Sequence, residues 1–258
     1  MNFLESIILG IIEGITEFLP ISSTLHLDIS RLLLDIPATN FVKSFEIIIQ
    51  FGAILSVVYL YRGKMFSSVV YFKQILIAFI PTGVVGFVLY KTIKYFFLGN
   101  TLLSAIVLIL GGLIMLIFER RRKNQIDDAS TRSIENLSIK ELIILGFAQA
   151  LAVIPGVSRS GAVIISGRAL SLPKSLITEF SFLLAVPTML SATMYDLYKT
   201  GASFENNDWM VLLVGSGVSF VVALFVVKWL IEYVKNNSFN IFGWYRIIIG
   251  VLILVFLV

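Results

Sequence analysis

Six long apolar runs constrain the fold of this chain more than any other feature of its sequence. They cover about residues 41–61, 68–90, 101–118, 176–197, 209–231 and 241–258. Each approaches the roughly 20 apolar residues that a helix needs to cross a hydrocarbon layer about 30 Å thick. Strands of a membrane barrel would be shorter and would alternate apolar with polar residues. The runs therefore predict an all-α polytopic membrane protein with about six full spans.

Composition and charge exclude several other classes of protein. Hydrophobic residues make up 58% of the 258 positions and charged residues only 14%, too few to cover a soluble domain. The chain has no cysteine, which rules out disulfide and thiolate chemistry. Its net charge of +4 requires no nucleic-acid partner. The first residues show neither a basic start nor a small-residue cleavage site, so we expect no cleavable signal.

The basic residues predict the orientation of the chain. The densest basic run is ERRRK at 119–123, which opens a polar segment that continues to about residue 140. Basic loops are retained on the cytoplasmic side of a membrane. Counting spans outward from this loop places both chain termini on the extracytoplasmic side.

The two halves of the chain resemble each other. Residues 10–22 align with 146–158 at an offset of 136, and residues 45–56 align with 180–191 at an offset of 135. Three apolar runs follow each polar stretch, and an odd number of spans inverts the second copy, as in inverted-repeat membrane proteins. The chain is then one integral membrane domain. It divides into repeat one at about 1–120, a cytoplasmic basic loop at about 120–138 and repeat two at about 139–258.

Each repeat begins with two short helices separated by a polar break. The predicted helices are 2–19 and 24–34 in repeat one, and 139–153 and 160–171 in repeat two. Proline and glycine interrupt helical hydrogen bonding, and serine or threonine is suited to cap the helix that follows. Irregular backbone at membrane depth must be enclosed by protein or face a water-filled cavity. We therefore expect two re-entrant hairpins whose tips meet near the middle of the membrane.

The first hairpin carries the acidic residues. Glu13 and Glu17 lie four residues apart and therefore share one helix face. An ionisable group at membrane depth costs about 2.5 kcal/mol or more, so it indicates a function. Two carboxylates at this spacing need a proton, a divalent cation or an arginine between them. Gln149 and Val153 occupy the equivalent places in repeat two, so the acids belong to repeat one alone.

Three hydroxyl groups and one imidazole follow the acids. Ser22, Ser23 and Thr24 precede the second helix, where at least one of them is expected to cap it. A capped helix start also presents free N–H groups and a positive dipole end, which together favour an anion. His26 is the only histidine of the chain and lies within one turn of these hydroxyls. It is equally compatible with a structural role and with proton transfer.

The second hairpin contributes an arginine. Arg159 stands between Ser158 and Ser160 in the stretch PGVSRSG. A guanidinium fork matches phosphate oxygens, although it could also form an ion pair with one of the acids. Glu46 and Gln50 are further polar residues in an apolar run. Together these groups indicate a phosphorylated lipid as ligand, and the residues alone leave hydrolysis and transport open.

These stretches resemble the signatures of the bacterial undecaprenyl-diphosphate phosphatase family that is linked to bacitracin resistance. The first signature matches residues 13–26 (EGITEFLPISSTLH), and the second matches 155–161 (PGVSRSG). The stretches FEIIIQ, EFSFLLAVP and DLY also look familial, so the resemblance covers essentially the whole chain. It departs at Leu25, where the family commonly has glycine, and at Val163, where it commonly has threonine.

The resemblance implies removal of the terminal phosphate of undecaprenyl diphosphate, which recycles the lipid carrier for peptidoglycan synthesis. It implies a place in the bacterial inner (cytoplasmic) membrane, with the active site open to the extracytoplasmic side. Activation by a divalent cation, Mg²⁺ or Ca²⁺, is expected as well. A homodimer is compatible with the resemblance, which does not require one.

The resemblance also assigns roles to residues of this chain. The catalytic candidates are Glu17, Ser23, His26 and Arg159, and the metal candidates are Glu13 and Glu17. The substrate-binding candidates are Ser22, Thr24, Ser158, Arg159, Ser160 and Gly161. Glu46 and Gln50 are the further candidates.

Two rival functions compete with hydrolysis by this set. A flippase or transporter of undecaprenyl phosphate or a related lipid phosphate is the main alternative, because broken helices in inverted repeats are typical of transporters. Hydrolysis is favoured because acids, hydroxyls and a histidine cluster in one break, whereas transport needs only positive and neutral donors. A histidine-nucleophile lipid phosphatase would need two histidines, and His26 is the only one.

Overall fold

Helices account for most of the chain in the computed structural model, which describes residues 1–96, 101–121 and 132–257. Strands are absent from these ranges. The helices are α1 Phe3–Thr16, α2 Ser23–Leu33, α3 Asn40–Ser67, α4 Val69–Phe96, α5 Thr101–Arg121, α6 Ile139–Ala150, α7 Arg159–Ala169, α8 Lys174–Thr200, α9 Asn206–Asn236 and α10 Asn240–Phe256. Most of the predicted cytoplasmic loop, residues 122–131, lies outside the described residues.

Five helices, α3, α4, α5, α8 and α9, are long and apolar enough to cross a membrane. The sixth predicted span is α10, an apolar helix of 17 residues. At 1.5 Å per residue it is about 26 Å long, slightly less than the thickness of a hydrocarbon core. The prediction of an all-α, multi-pass membrane protein is therefore confirmed.

The two hairpins are present, but their first helices end earlier than the sequence indicated. The first helix of the chain ends at Thr16, three residues short of the predicted end, and α6 ends at Ala150 before a short 3₁₀ turn over Leu151–Val153. Helices tend to end ahead of a proline, and Pro20 and Pro155 follow these two ends. Both helices begin with a capping box, from Asn2 and from Ser138.

The backbone repeats the same unusual conformations in both halves. Ser22, with φ 73°, and Ser158, with φ 63°, stand immediately before α2 and α7. Asp35, with φ 52°, and Ser171, with φ 63°, follow the same two helices. The members of each pair are 136 positions apart, the offset that the sequence alignment gave. Left-handed backbone is uncommon outside glycine, so its recurrence at this spacing supports two related halves.

Helix packing is reciprocal between the halves. The first helix, α1, packs on α9 of the second half, and α6 packs on α4 of the first half. The other large contacts join α5 with α10, α3 with α9 and α3 with α8, and the first and last of these are pairs of equivalent helices. Each hairpin is thus held by the opposite half of the chain. Opposite orientation of the two repeats across a membrane stays a prediction.

Close glycine contacts hold the hairpins against the spans, as small residues do between membrane helices. A Cβ at Gly215 of α9 would lie 2.6 Å from the ring of Phe45 and 2.8 Å from Ser6 Oγ, whereas a Cβ at Gly217 would meet nothing within 4 Å. Phe45 and Ser6 are both fully buried, so neither can move away.

We expect Gly215→Ala to destabilise the protein by about 1–3 kcal/mol, the usual cost of overpacking a buried contact. Its thermal midpoint in detergent should fall by several degrees. Gly217→Ala is the matched control, because it makes the same substitution two residues away on the same helix. Equal midpoints for the two variants would contradict this packing.

Candidate active site

The tips of the two hairpins meet at a buried ion pair. Arg159 Nη2 lies 3.0 Å from Glu17 Oε1. Glu17 immediately follows the last residue of α1, and Arg159 is the first residue of α7. Both residues are at least nine-tenths buried. The predicted convergence of two segments that are 142 positions apart is therefore confirmed.

Glu17 divides its two carboxylate oxygens between the two hairpins. Ser23 Oγ donates a 2.6 Å hydrogen bond to Oε2, while Oε1 faces the guanidinium. The second terminal nitrogen of Arg159, Nη1, donates to the carbonyl oxygen of Ser181 at 3.0 Å. A hydroxyl, a carboxylate and a guanidinium thus form one connected network, and short charge-assisted bonds of this kind are strong.

The starts of two helices border the same network. Ser158 caps α7, because its Oγ accepts from the N–H of Gly161 at 3.2 Å, and Ser160 Oγ donates to the carbonyl oxygen of Leu19 at 3.0 Å. Ser22 holds the cap position of α2 but makes no capping bond with its side chain. The first N–H groups of a helix have no partner within that helix, so those that no cap occupies are available to an anion.

A cavity of about 210 Å³ opens beside these groups. Its polar lining comes from both halves of the chain: Glu17, Ser22, Ser23, Thr24, Gln50, Thr82, Gln149, Ser158, Arg159 and Thr188. One wall is apolar, made by Ala152, Val153, Ile154, Pro155 and Met189. The cavity combines a charged end and an apolar wall, which are the two surfaces that a phosphorylated lipid presents.

Glu13 is the most unusual acid in the fold. Its side chain is fully buried, and within the described residues neither carboxylate oxygen has a hydrogen-bond partner. A buried carboxylate without a partner is costly unless a proton or a cation compensates it. No cluster of three histidines, cysteines or acids occurs in the described ranges. Mg²⁺ commonly binds one or two carboxylates and takes its other oxygens from water and phosphate, so Glu13 and Glu17 fit a cation of this kind.

Five candidate residues are not part of the cavity lining: Glu13, His26, Glu46, Ser160 and Gly161. His26 uses both ring nitrogens elsewhere, with Nδ1 2.8 Å from the carbonyl oxygen of Ser22 and Nε2 2.8 Å from the hydroxyl of Tyr245. Glu46 lies 3.6 Å from Arg31 Nε. The proton-transfer role of His26 and the participation of Glu46 stay predictions. Gln50, in contrast, does line the cavity.

Part of the cavity lining is neutral and polar, and it is not evident from the sequence. The side-chain amide of Gln149 donates to Thr82 Oγ1 at 3.2 Å and to Thr188 Oγ1 at 2.8 Å. These residues come from α6, α4 and α8, and isolated threonines in apolar helices give little signal. In the sequence, Gln149 stands out only as the neutral counterpart of Glu13.

A buried arginine was missed as well. Arg246 of α10 is 1% exposed and donates to the carbonyl oxygens of Pro20, Gly156 and Val157. The sequence does mark this residue, because Arg246 is the only charged residue in the apolar run 241–258. A lone charge at membrane depth indicates a function.

A second and larger cavity, of about 380 Å³, lies beside Lys64, Arg132 and Glu179. Its two cations are already paired: Lys64 Nζ lies 2.9 Å from Glu179 Oε1, and Arg132 Nη2 lies 2.9 Å from Glu141 Oε1. Glu17, Ser23 and Arg159 line the smaller cavity and are absent from the lining of this one. We therefore place the chemistry in the smaller cavity.

The two departures from the family signatures lie in apolar packing. Leu25 is buried in a cluster with Ala105, Leu108 and Ile253. Val163 is buried in the main hydrophobic core. Neither residue lines the cavity, so the charged groups are arranged without them.

Known proteins resemble this chain over nearly its whole length. The family model described as bacitracin resistance protein BacA matches residues 6–252. A protein of Aquifex aeolicus named undecaprenyl-diphosphatase is 48% identical over 95% of both chains. Proteins of the same name from a Sulfurihydrogenibium species and from Persephonella marina are 49% and 46% identical over 98% and 99% of both chains. The chain belongs to the BacA family.

Proposed function

We propose that this protein hydrolyses undecaprenyl diphosphate to undecaprenyl phosphate and inorganic phosphate. Relatives that match this chain over nearly its full length are named for this activity. The observation that carries the proposal is the position of Glu17, between the hydroxyl of Ser23 and the guanidinium of Arg159. The name of the relatives describes hydrolysis and gives no support to the alternative of a lipid-phosphate transporter.

Arg159 binds the diphosphate in this proposal. Its Nη2 pairs with Glu17 and its Nη1 with the carbonyl oxygen of Ser181, so the fork is held at the edge of the cavity by two fixed acceptors. A phosphate oxygen replaces the carboxylate as partner of Nη2 when substrate enters. The uncapped N–H groups at the starts of α2 and α7, with Ser22, Thr24, Ser158 and Ser160, supply further donors, while the N–H of Gly161 is taken by Ser158 Oγ. Such donors stabilise the charge that builds up on phosphoryl oxygens in the transition state.

Glu17 acts as the general base. Its Oε2 already accepts the proton of Ser23 Oγ, so that proton can pass to the carboxylate as Oγ bonds to the terminal phosphorus. The bond from that phosphorus to the bridging oxygen breaks, and undecaprenyl phosphate leaves. Water then releases phosphate from Ser23.

An alternative route has no phosphorylated serine. In it Glu17 deprotonates a water that attacks the same phosphorus directly, and Ser23 only holds the phosphate.

A divalent cation, Mg²⁺ or Ca²⁺, completes the site in this proposal. Glu13 and Glu17 would hold it, because the buried carboxylate of Glu13 has no hydrogen-bond partner among the residues that the structure describes. When bound, the cation neutralises part of the diphosphate charge. Every group named here comes from one chain, so the proposal requires no homodimer.

The isoprenoid tail follows the apolar wall of the cavity, which Val153, Ile154 and Met189 help to form. In this proposal the protein lies in the bacterial inner membrane, with the cavity open to the extracytoplasmic side. The positive-inside distribution of basic residues supports this orientation.

Release of inorganic phosphate tests the proposal. Purified protein in detergent should release phosphate from undecaprenyl diphosphate in the presence of Mg²⁺. Removal of divalent cations with a chelator should lower the rate at least tenfold, about 1.4 kcal/mol, and added Mg²⁺ or Ca²⁺ should restore it. A protein that moves undecaprenyl phosphate between the leaflets of vesicles, yet releases no phosphate under any of these conditions, would contradict the proposal.

A further inference from the structure

Arg246 connects elements that are distant in the chain. Its Nη1 donates to the carbonyl oxygen of Pro20 at 3.0 Å, in the first hairpin break. Its Nη2 donates to Gly156 at 3.0 Å, and both terminal nitrogens reach Val157 at 3.2 and 3.3 Å, in the second break. The remaining nitrogen, Nε, donates to Leu108 of α5 at 3.2 Å. One side chain therefore holds the tips of both hairpins.

No carboxylate forms an ion pair with Arg246 in the part of the chain that the structure describes. The buried charge is compensated by carbonyl dipoles instead. A buried cation is tolerated only when its donors are satisfied, and the planar fork of arginine supplies five donors in fixed directions. A lysine has one nitrogen and cannot bond both breaks and α5 in the same geometry.

The surrounding backbone leaves space for this guanidinium. A Cβ at Gly111 of α5 would overlap with Nη2, and a Cβ at Gly161 would lie 3.2 Å from Nη1. The neighbouring residue of α10, Tyr245, bonds His26 through its hydroxyl at 2.8 Å. This end of α10 therefore contacts both hairpins.

The anchored carbonyls adjoin the proposed active site. Pro20 precedes Ser23 by three positions, and Val157 precedes Arg159 by two. We propose that Arg246 is a positioning residue. It fixes the two hairpin tips relative to each other, so that Ser23 and Arg159 contact the same phosphate group of the substrate. This inference rests on the proposed hydrolysis. A misplacement of about 1 Å can lower a rate about 100-fold.

The test compares Arg246→Lys with the wild type by two readouts. The first is kcat and KM for phosphate release from undecaprenyl diphosphate, corrected for the folded fraction. We expect kcat to fall at least tenfold while KM changes less than threefold. The second is hydrogen exchange followed by mass spectrometry, in which residues 17–26 and 154–162 should exchange faster while the spans α8 and α9 stay protected.

Two further variants complete this experiment. Gly111→Ala retains the arginine but crowds its guanidinium, so it should reproduce both changes, and it decides the question if Arg246→Lys fails to fold. Ile248→Ala replaces an exposed residue of the same helix and should change neither readout. Wild-type kcat, or wild-type exchange at both tips, in the Arg246→Lys and Gly111→Ala variants would overturn the inference. If the wild type releases no phosphate, the proposed function fails, and the exchange measurement still decides the role of Arg246.

Discussion

Glu17→Gln should lower phosphate release at least about 1000-fold, within the range that a general base contributes. The amide has the shape of the carboxylate and can still accept from Ser23 or Arg159, but it can take no proton from a nucleophile. It also removes one of the two carboxylates proposed to hold the divalent cation. The measurement is the rate of phosphate release per folded molecule at saturating undecaprenyl diphosphate.

Stability must be measured beside activity in this variant. Breaking a buried ion pair leaves Arg159 without a counter-charge, which costs about 3–5 kcal/mol, so the thermal midpoint should fall. Glu232→Gln is the matched control, because Glu232 is 69% exposed in its side chain and lies far along the chain from either break. It should retain wild-type turnover. Turnover within threefold of the wild type in Glu17→Gln would refute the assignment of Glu17.

Arg159→Met should lower kcat/KM about 100- to 1000-fold, the range observed when a donor to a developing negative charge is removed. Methionine keeps the apolar part of the side chain and removes all five donors. The loss should appear in both KM and kcat, because the guanidinium binds the diphosphate and also stabilises the transition state. Kinetics over a range of substrate concentrations separate the two contributions.

Arg159→Lys should recover only part of the loss. One ammonium cannot replace a fork that reaches Glu17 and the carbonyl of Ser181 together. Arg62→Met is the matched control, since Arg62 is exposed and its guanidinium contacts the carbonyl oxygen and the ring of Tyr59, away from both hairpin tips. Wild-type kcat/KM in Arg159→Met would show that the diphosphate is bound elsewhere.

Much of the fold can be predicted from local sequence patterns, such as apolar runs and internal repeats. Apolar runs of spanning length predicted the membrane class, and the structure has α3, α4, α5, α8 and α9 where those runs lie. The alignment at an offset of 136 predicted two related halves, which the repeated backbone conformations support. The contact between Glu17 and Arg159 could be expected from the sequence, because pairing two opposite charges lowers the free-energy cost of burying each of them.

Other features depend on contacts that a single sequence does not state. The side-chain donors of Gln149 are satisfied by threonines of two other helices, and this pairing exists only after packing. His26 lies beside the hydroxyls in sequence, yet it bonds Tyr245, 219 positions away. Arg246 could have been suspected as a lone charge in an apolar run, but its partners are backbone carbonyls, which every residue has.

A structure of the protein with a non-hydrolysable methylene diphosphonate analogue of its lipid substrate tests the central claim most directly. We predict that the terminal phosphorus lies in the smaller cavity, within hydrogen-bonding reach of the Arg159 guanidinium through its oxygens and facing Ser23 Oγ. The apolar tail should leave along Val153 and Met189. Density for the diphosphonate in the larger cavity beside Lys64 and Arg132, with none between the two hairpin tips, would contradict this account.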